Sequence, residues 1–207
     1  MRSLFLFLAL WCAVATTRGA DIGQVLDQSQ RHRLVQLDRP ATDPARVAIV
    51  RSTFDRLRRA ANLGADVELR VVSGPVPAET LMGRIVIANE LLADMPEGER
   101  MFLLAHEIGH VALGHWGRLE GLYRRHLPGE LARDQTDAAA PALGREASAL
   151  AHEMELQSDA YAMRMLTDMH YGADSAMAVF LRQGVQHDTA THPGTRKRVA
   201  HLRMIGP

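Results

Sequence analysis

The chain has 207 residues, 47% hydrophobic and 23% charged, enough for one domain with a core of its own. Lys+Arg and Asp+Glu balance at 24 each, which excludes the basic footprint of a nucleic-acid binder. Ten His against three Tyr and one Cys tilt the composition toward metal chemistry.

The N-terminus reads as an export signal. Arg2 is a positive n-region, the run Leu4 to Ala15 is a short apolar h-region, and Ala13-Val14-Ala15 fits a small-x-small cleavage site. We expect residues 1–20 to be a signal peptide and 21–207 one domain. Cleavage removes Cys12, so the mature chain has no disulfide and no thiolate ligand. Losing Arg2 and Arg18 leaves it mildly acidic. No later segment is long and apolar enough to span a membrane.

Most of the mature chain has helical periodicity. "DIGQVLDQSQRHRLVQL" is weakly amphipathic up to Pro40. A clearer helix follows, with Asp43 as cap, Pro44 at its first position and a stripe of Val47, Val50, Phe54, Leu57 and Ala61. Asn62 and Gly64 end it. Val67 to Val72 alternates as a half-buried strand, broken by Gly74, Pro75 and Pro77. Arg84 to Ala88 reads as a second strand. Asp94 and Glu97 form a capping-box pattern before "ERMFLLAHEIGHVALGH", which Gly114 stops. Residues 116–146, with Pro128, Gly129, Pro141 and Gly144, read as loop or mobile helix, equally a lid or an inert insertion. A long helix follows from Arg145, and a last one is expected with Thr191 as cap and Pro193 in its first turn. The fold class is α+β, mostly helical.

The segment Leu103 to His115 puts three histidines and a glutamate into an apolar run. His106-Glu107-x-x-His110 is H-E-x-x-H. In a helix, residues four apart differ by about 40° around the axis, so both imidazoles leave one face and can share one Zn²⁺. Glu107 lies beside the metal, within reach of a water on it. Leu103, Ala105, Ile108, Val111, Ala112 and Leu113 make the helix apolar nearly all round, hence buried. Burying unpaired polar groups there would cost several kcal/mol or so each, and a metal removes that conflict. His115, past Gly114, is expected to be a terminal-turn residue half a turn away from the other two imidazoles.

A catalytic zinc wants a third protein ligand and an open position. Glu155 and Asp159 are four apart on a stripe with Ala151, Ala162, Leu166 and Met169. Glu155 as third ligand, with Asp159 accepting a hydrogen bond from a ligand histidine, accounts for both. The plain alternative is a solvated acidic edge. Glu153 and His152 are rival ligands without an acid four residues on.

Together H-E-x-G-H, the E-x-x-x-D helix and Thr191-His192-Pro193-x-x-x-x-Arg198 resemble the zinc metallopeptidases of the HtpX and CAAX prenyl protease type, family forty-eight of the metallopeptidases. The resemblance covers roughly residues 43–205. It implies a gluzincin: a small sheet, whose edge strand binds substrate, packed on the H-E-x-x-H helix. His106, His110 and Glu155 would be ligands, Glu107 the general base and Asp159 their support. His192 and Arg198 would lie near the metal and contact the reacting group; a helix-cap His and a surface Arg are the plain alternatives. The chain departs from the family in lacking its Asn-Ala and Pro-Gly-Gly signals and its membrane helices, and in having Ser158 before the Asp. It therefore resembles a compact exported member acting on protein or peptide substrates that are not prenylated.

The expected function is a periplasmic endopeptidase with one Zn²⁺ per chain and no nucleic-acid partner. The alternatives are a zinc-stabilised chaperone-like or binding module, and a scaffold anchored by an uncleaved N-terminus.

Overall fold

The computed structural model describes residues 19–205, so the expected export signal lies outside it apart from Gly19 and Ala20. Helix α1 (Ile22–Leu37) opens with a capping box: Asp21 accepts from the Gln24 amide, and the Gln24 side chain accepts from the Asp21 amide. Helix α2 (Pro44–Ala60) starts as its sequence demands, with Asp43 accepting from the Ala45 and Arg46 amides and Pro44 at the first position. Its stripe buries Val50, Phe54 and Leu57.

Strands β1 (Glu68–Val72), β2 (Ala78–Leu81) and β3 (Ile85–Asn89) form a sheet of order β1-β3-β2. The central β3 is buried throughout and pairs parallel with β1 and antiparallel with β2. Strand β2 was not expected. Its hairpin turns at Met82 and Gly83, both with positive φ. A 3₁₀ helix (Glu90–Asp94) follows β3. Glu90 accepts from both the amide and hydroxyl of Thr42 and from the Asp43 amide, tying the start of α2 to the end of the sheet.

Helix α3 (Glu97–Ala112) lies against α5 (Arg133–Asp168) across the main core. Phe54, Leu57, Val86, Phe102, Ile108, Leu166 and Phe180 meet there. The two helices approach closely at Gly109, where a Cβ would sit 3.1 Å from the Ser158 Cα. The expected capping box before α3 does not form. Pro96 is the N-cap, and Asp94 ends the 3₁₀ turn and pairs with Arg46.

Gly114 adopts a left-handed conformation, φ 62° and ψ 33°, and turns the chain directly into α4 (His115–His126). The segment 116–146, expected as loop or mobile helix, is largely helical: α4, a short turn at Pro128 and Gly129, then α5, which runs through Pro141 and Gly144. A second small core of Ile22, Leu122, Leu127 and Leu143 joins α1, α4 and the start of α5. Helix α6 (Asp174–Gln183) and helix α7 (Thr195–Ile205) complete the chain. Helix α7 begins after Thr191 and Pro193, which belong to the preceding loop. Among the described residues no helix is long and apolar enough to cross a membrane.

Candidate metal centre

The middle of α3 faces the middle of α5, and the polar residues of both helices meet in that contact. His106 Nε2 and His110 Nε2 are 3.2 Å apart. Glu155 brings Oε2 to 3.5 Å from His106 Nε2 and Oε1 to 3.3 Å from His110 Nε2. The three side chains form a group that could hold a metal ion. Glu155 is 6% exposed, and its Oε2 is a buried atom without a hydrogen-bond partner. An unpaired buried carboxylate oxygen is costly, and a cation beside it removes the cost.

Behind this cluster Asp159 is fully buried. Its Oδ1 lies 2.9 Å from His106 Nδ1, which donates to it and so turns Nε2 toward Glu155. Arg198 on α7 closes on the same carboxylate as a fork, Nε to Oδ2 at 2.7 Å and Nη2 to Oδ1 at 2.6 Å. Its Nη1 is 3.6 Å from Glu155 Oε2, and the guanidinium stacks on Phe180. Arg198 is thus a largely buried brace behind the cluster, away from the cleft wall. Burial would raise the Asp159 carboxyl, but the hydrogen bonds from Arg198 and His106 hold it low. Burial would lower His106, yet its bonds to Asp159 and Glu155 outweigh that and hold it up at about 10. Glu155 likewise resists its burial and stays well below the ordinary carboxylate range, because the His106 and His110 imidazoles face it closely.

A cleft of about 490 Å³ opens on the other side. His106, Glu107, His110 and Glu155 form its base, Ala78, Glu79 and Thr80 of β2 one wall, and Trp116, Leu119, Ala151 and Met154 another. Trp116 is wedged onto the β2–β3 turn: a Cβ at Gly83 would stand 3.0 Å from the Trp116 Cβ. Helix α4, expected as a lid or insertion, therefore builds part of the cleft.

Glu107 points into this cleft beside the cluster, and Thr80 Oγ1 donates to its Oε2 at 2.7 Å. His192 lies on the rim, 59% exposed at its side chain, with Nε2 3.7 Å from Glu155 Oε1. It is a loop residue bonded to the Thr191 hydroxyl and caps no helix. The rival residues point elsewhere: Glu153 pairs with Arg118, and His152 bonds the Thr189 carbonyl.

Two residues escaped the sequence reading. Thr80 did so because β2 did. His115 was placed half a turn away from the other imidazoles, but it is 3% exposed and its Nδ1 lies 2.9 Å from His110 Nδ1. The reversal at Gly114 makes the contact, which a continuous helix would not. Burial, and then His110 beside it, push His115 down to about 4, so it is neutral near pH 7.

No curated protein matches the chain. The sequence model of Peptidase family M48 matches residues 44–126, from the first residue of α2 to the last of α4. That segment holds His106, Glu107, His110, Thr80 and His115, while Glu155, Asp159, His192 and Arg198 lie beyond it. Over residues 44–126, which include the H-E-x-x-H helix, the chain is similar to peptidase family M48.

Proposed function

We propose that this protein is an exported, periplasmic zinc endopeptidase that hydrolyses protein or peptide substrates. The observation that carries the reading is the convergence of His106, His110 and Glu155 at the base of an open cleft, with Glu107 held beside them. Two imidazoles and a carboxylate, with room for a fourth ligand, are a donor set of catalytic zinc sites. Ligands about 2.1 Å from a tetrahedral zinc stand about 3.4 Å apart. The three separations here are 3.2, 3.3 and 3.5 Å. His106, His110 and Glu155 would hold the ion. A bound zinc supplies Lewis acidity to the scissile carbonyl and a lowered pKa to the attacking water.

The chain's own residues account for the remainder. Pro77 turns its carbonyl to Asn89 of β3, and Leu81 turns its carbonyl to Arg84 just before that strand, so the backbone groups of Ala78 and Thr80 between them face outward. An extended peptide can add to that edge as a further strand, which lays its scissile bond across the base of the cleft. Glu107 accepts a proton from the attacking water and returns it to the leaving nitrogen. Thr80 fixes the carboxylate of Glu107 from the same strand that orients the substrate. His192, on the open rim, can donate to the oxygen on which charge develops. Arg198 acts through Asp159 and Glu155. Export rests on Arg2 and the apolar run that follows it.

Glu107→Gln keeps shape and hydrogen bonding but removes the base. It should bind zinc and fold like wild type, while cleavage of an unstructured substrate such as casein falls by at least about a hundredfold. A Glu107→Gln protein that cleaves as fast as wild type overturns the mechanism.

A further inference from the structure

Resting on the reading that His106, His110 and Glu155 hold zinc, the surroundings of His110 assign a task to a residue outside that set. His110 offers Nε2 to the cluster, and an imidazole nitrogen ligates only with its lone pair free. The single proton of the ring must then sit on Nδ1. His110 Nδ1 faces His115 Nδ1 at 2.9 Å, so two facing nitrogens share one proton. Which ring holds it is decided on the far side of His115.

There His115 Nε2 lies 3.2 Å from Gln157 Oε1. The orientation of the Gln157 amide is fixed by two charged neighbours. Arg118 Nη1, which can only donate, meets Oε1 at 2.6 Å. Gln157 Nε2 donates to Glu153 Oε1 at 2.8 Å, and Arg118 Nη2 donates to the same oxygen at 2.8 Å. Gln157 therefore presents an acceptor to His115, and His115 Nε2 carries the proton. His115 Nδ1 faces the His110 Nδ1–H at 2.9 Å and can accept from it only without a proton of its own. Its Nδ1 is then bare and accepts from His110 Nδ1–H.

We propose that His115 is a positioning residue that holds His110 in the Nδ1–H tautomer, and that the Arg118–Glu153–Gln157 cluster sets His115 in turn. The two ligand histidines are thus prepared differently. His106 is oriented directly by the acceptor Asp159. His110 is oriented by a neutral relay that begins at an ion pair on the surface, between α4 and α5.

Nitrogen-15 NMR of the metal-free protein reads the tautomers without metal or activity. Proton on Nδ1 and a bare Nε2 at His110, with proton on Nε2 at His115, is the expected result; Nε2–H at His110 overturns the proposal. Zinc affinity, from a chelator competition titration, reads the consequence. His115→Leu removes the acceptor and should bind zinc about ten- to a hundredfold more weakly. His115→Asn returns an acceptor oxygen close to the lost Nδ1 and should recover much of that loss. Gln157→Leu changes a half-buried residue, leaves His115 in place, and should weaken binding by less than His115→Leu; it keeps the test alive should His115→Leu not fold. If wild type binds zinc and both leucine variants bind it as tightly, the relay is wrong and the zinc reading stands. If wild type binds no zinc, the zinc reading fails, and the NMR result alone decides the tautomer.

Discussion

Helix α5 runs unbroken from Arg133 to Asp168, yet its two halves live in different surroundings. Up to Leu150 it buries one residue, Leu143, in the small core shared with α1 and α4. From Ala151 on it buries Met154, Glu155, Ser158, Asp159, Ala160, Ala162, Met163, Met165 and Leu166 against α3 and the main core. The first half is sustained by local propensity, with alanines at 138, 139, 140 and 142 around Pro141. The second half is sustained by packing, and it carries every α5 residue of the metal cluster. Perturbations of the second half should therefore reach the site, and those of the first should not.

The largest effect expected is that of Glu155→Ala. Wild type purified without chelator should hold about one zinc per chain, and the variant should lose most of it on elemental analysis. Full occupancy in Glu155→Ala would remove this half of α5 from the metal site.

Asp159→Ala comes next. The His106 ring loses its anchor, and zinc affinity should fall about ten- to a hundredfold. The variant also leaves the largely buried Arg198 guanidinium with only the more distant Glu155 carboxylate, which should cost up to about 3 kcal/mol in denaturant unfolding of the metal-free protein. Unchanged affinity with lowered stability would make Asp159 a structural partner of Arg198 alone.

A pH titration sharpens the same point. His106 is held at about 10 in the fold against about 6.5 in an unfolded chain. A raised folded-state value means its contribution is complete below about pH 6.5 and is lost as pH rises toward about 10. Metal-free protein should therefore lose stability across that window. With zinc bound the ring is already deprotonated, and the dependence should flatten. Equal slopes with and without zinc would mean that His106 is not a ligand.

The sequence showed much of the second half of α5 and little of the first, for physical reasons. Glu155 and Asp159 were legible because carboxylates on an apolar stripe demand a partner. H-E-x-x-H was legible because helical spacing alone puts both rings on one face. Pro141 and Gly144 looked like breakers, but the alanines beside them sustain the helix through both. Strand β2 was hidden because its four residues pair only with β3, across a Met-Gly turn that lacks the usual Asn-Gly signal. With β2 went Thr80, and so the partner of Glu107. His115 was misplaced because its contact depends on one left-handed residue, Gly114, where a helix drawn onward from α3 points the ring away.

The smallest effects come from one substitution made at two glycines. At Gly109 on α3, a Cβ would sit 3.1 Å from the Ser158 Cα and 3.3 Å from both the Ser158 Oγ and the Tyr161 Cβ. Backbone cannot yield as a side-chain tip does, so Gly109→Ala should push α3 away from the second half of α5. The expected cost is about 1 to 3 kcal/mol, the range for overpacking a tight contact, with weakened zinc binding because Gly109 lies between His106 and His110. At Gly144, in the first half, a Cβ meets nothing within 4 Å and the residue is exposed. Gly144→Ala gains helix propensity without a clash and should stabilise the helix by up to about 1 kcal/mol, leaving zinc affinity unchanged. The readout is the pair: denaturant midpoints moving in opposite directions, with zinc affinity altered in one variant only. If Gly144→Ala raises helical circular dichroism but not the global midpoint, the first half of α5 unfolds on its own, and the boundary between the halves is thermodynamic as well as structural. If it weakens zinc binding as Gly109→Ala does, the two halves are coupled and the distinction between them fails.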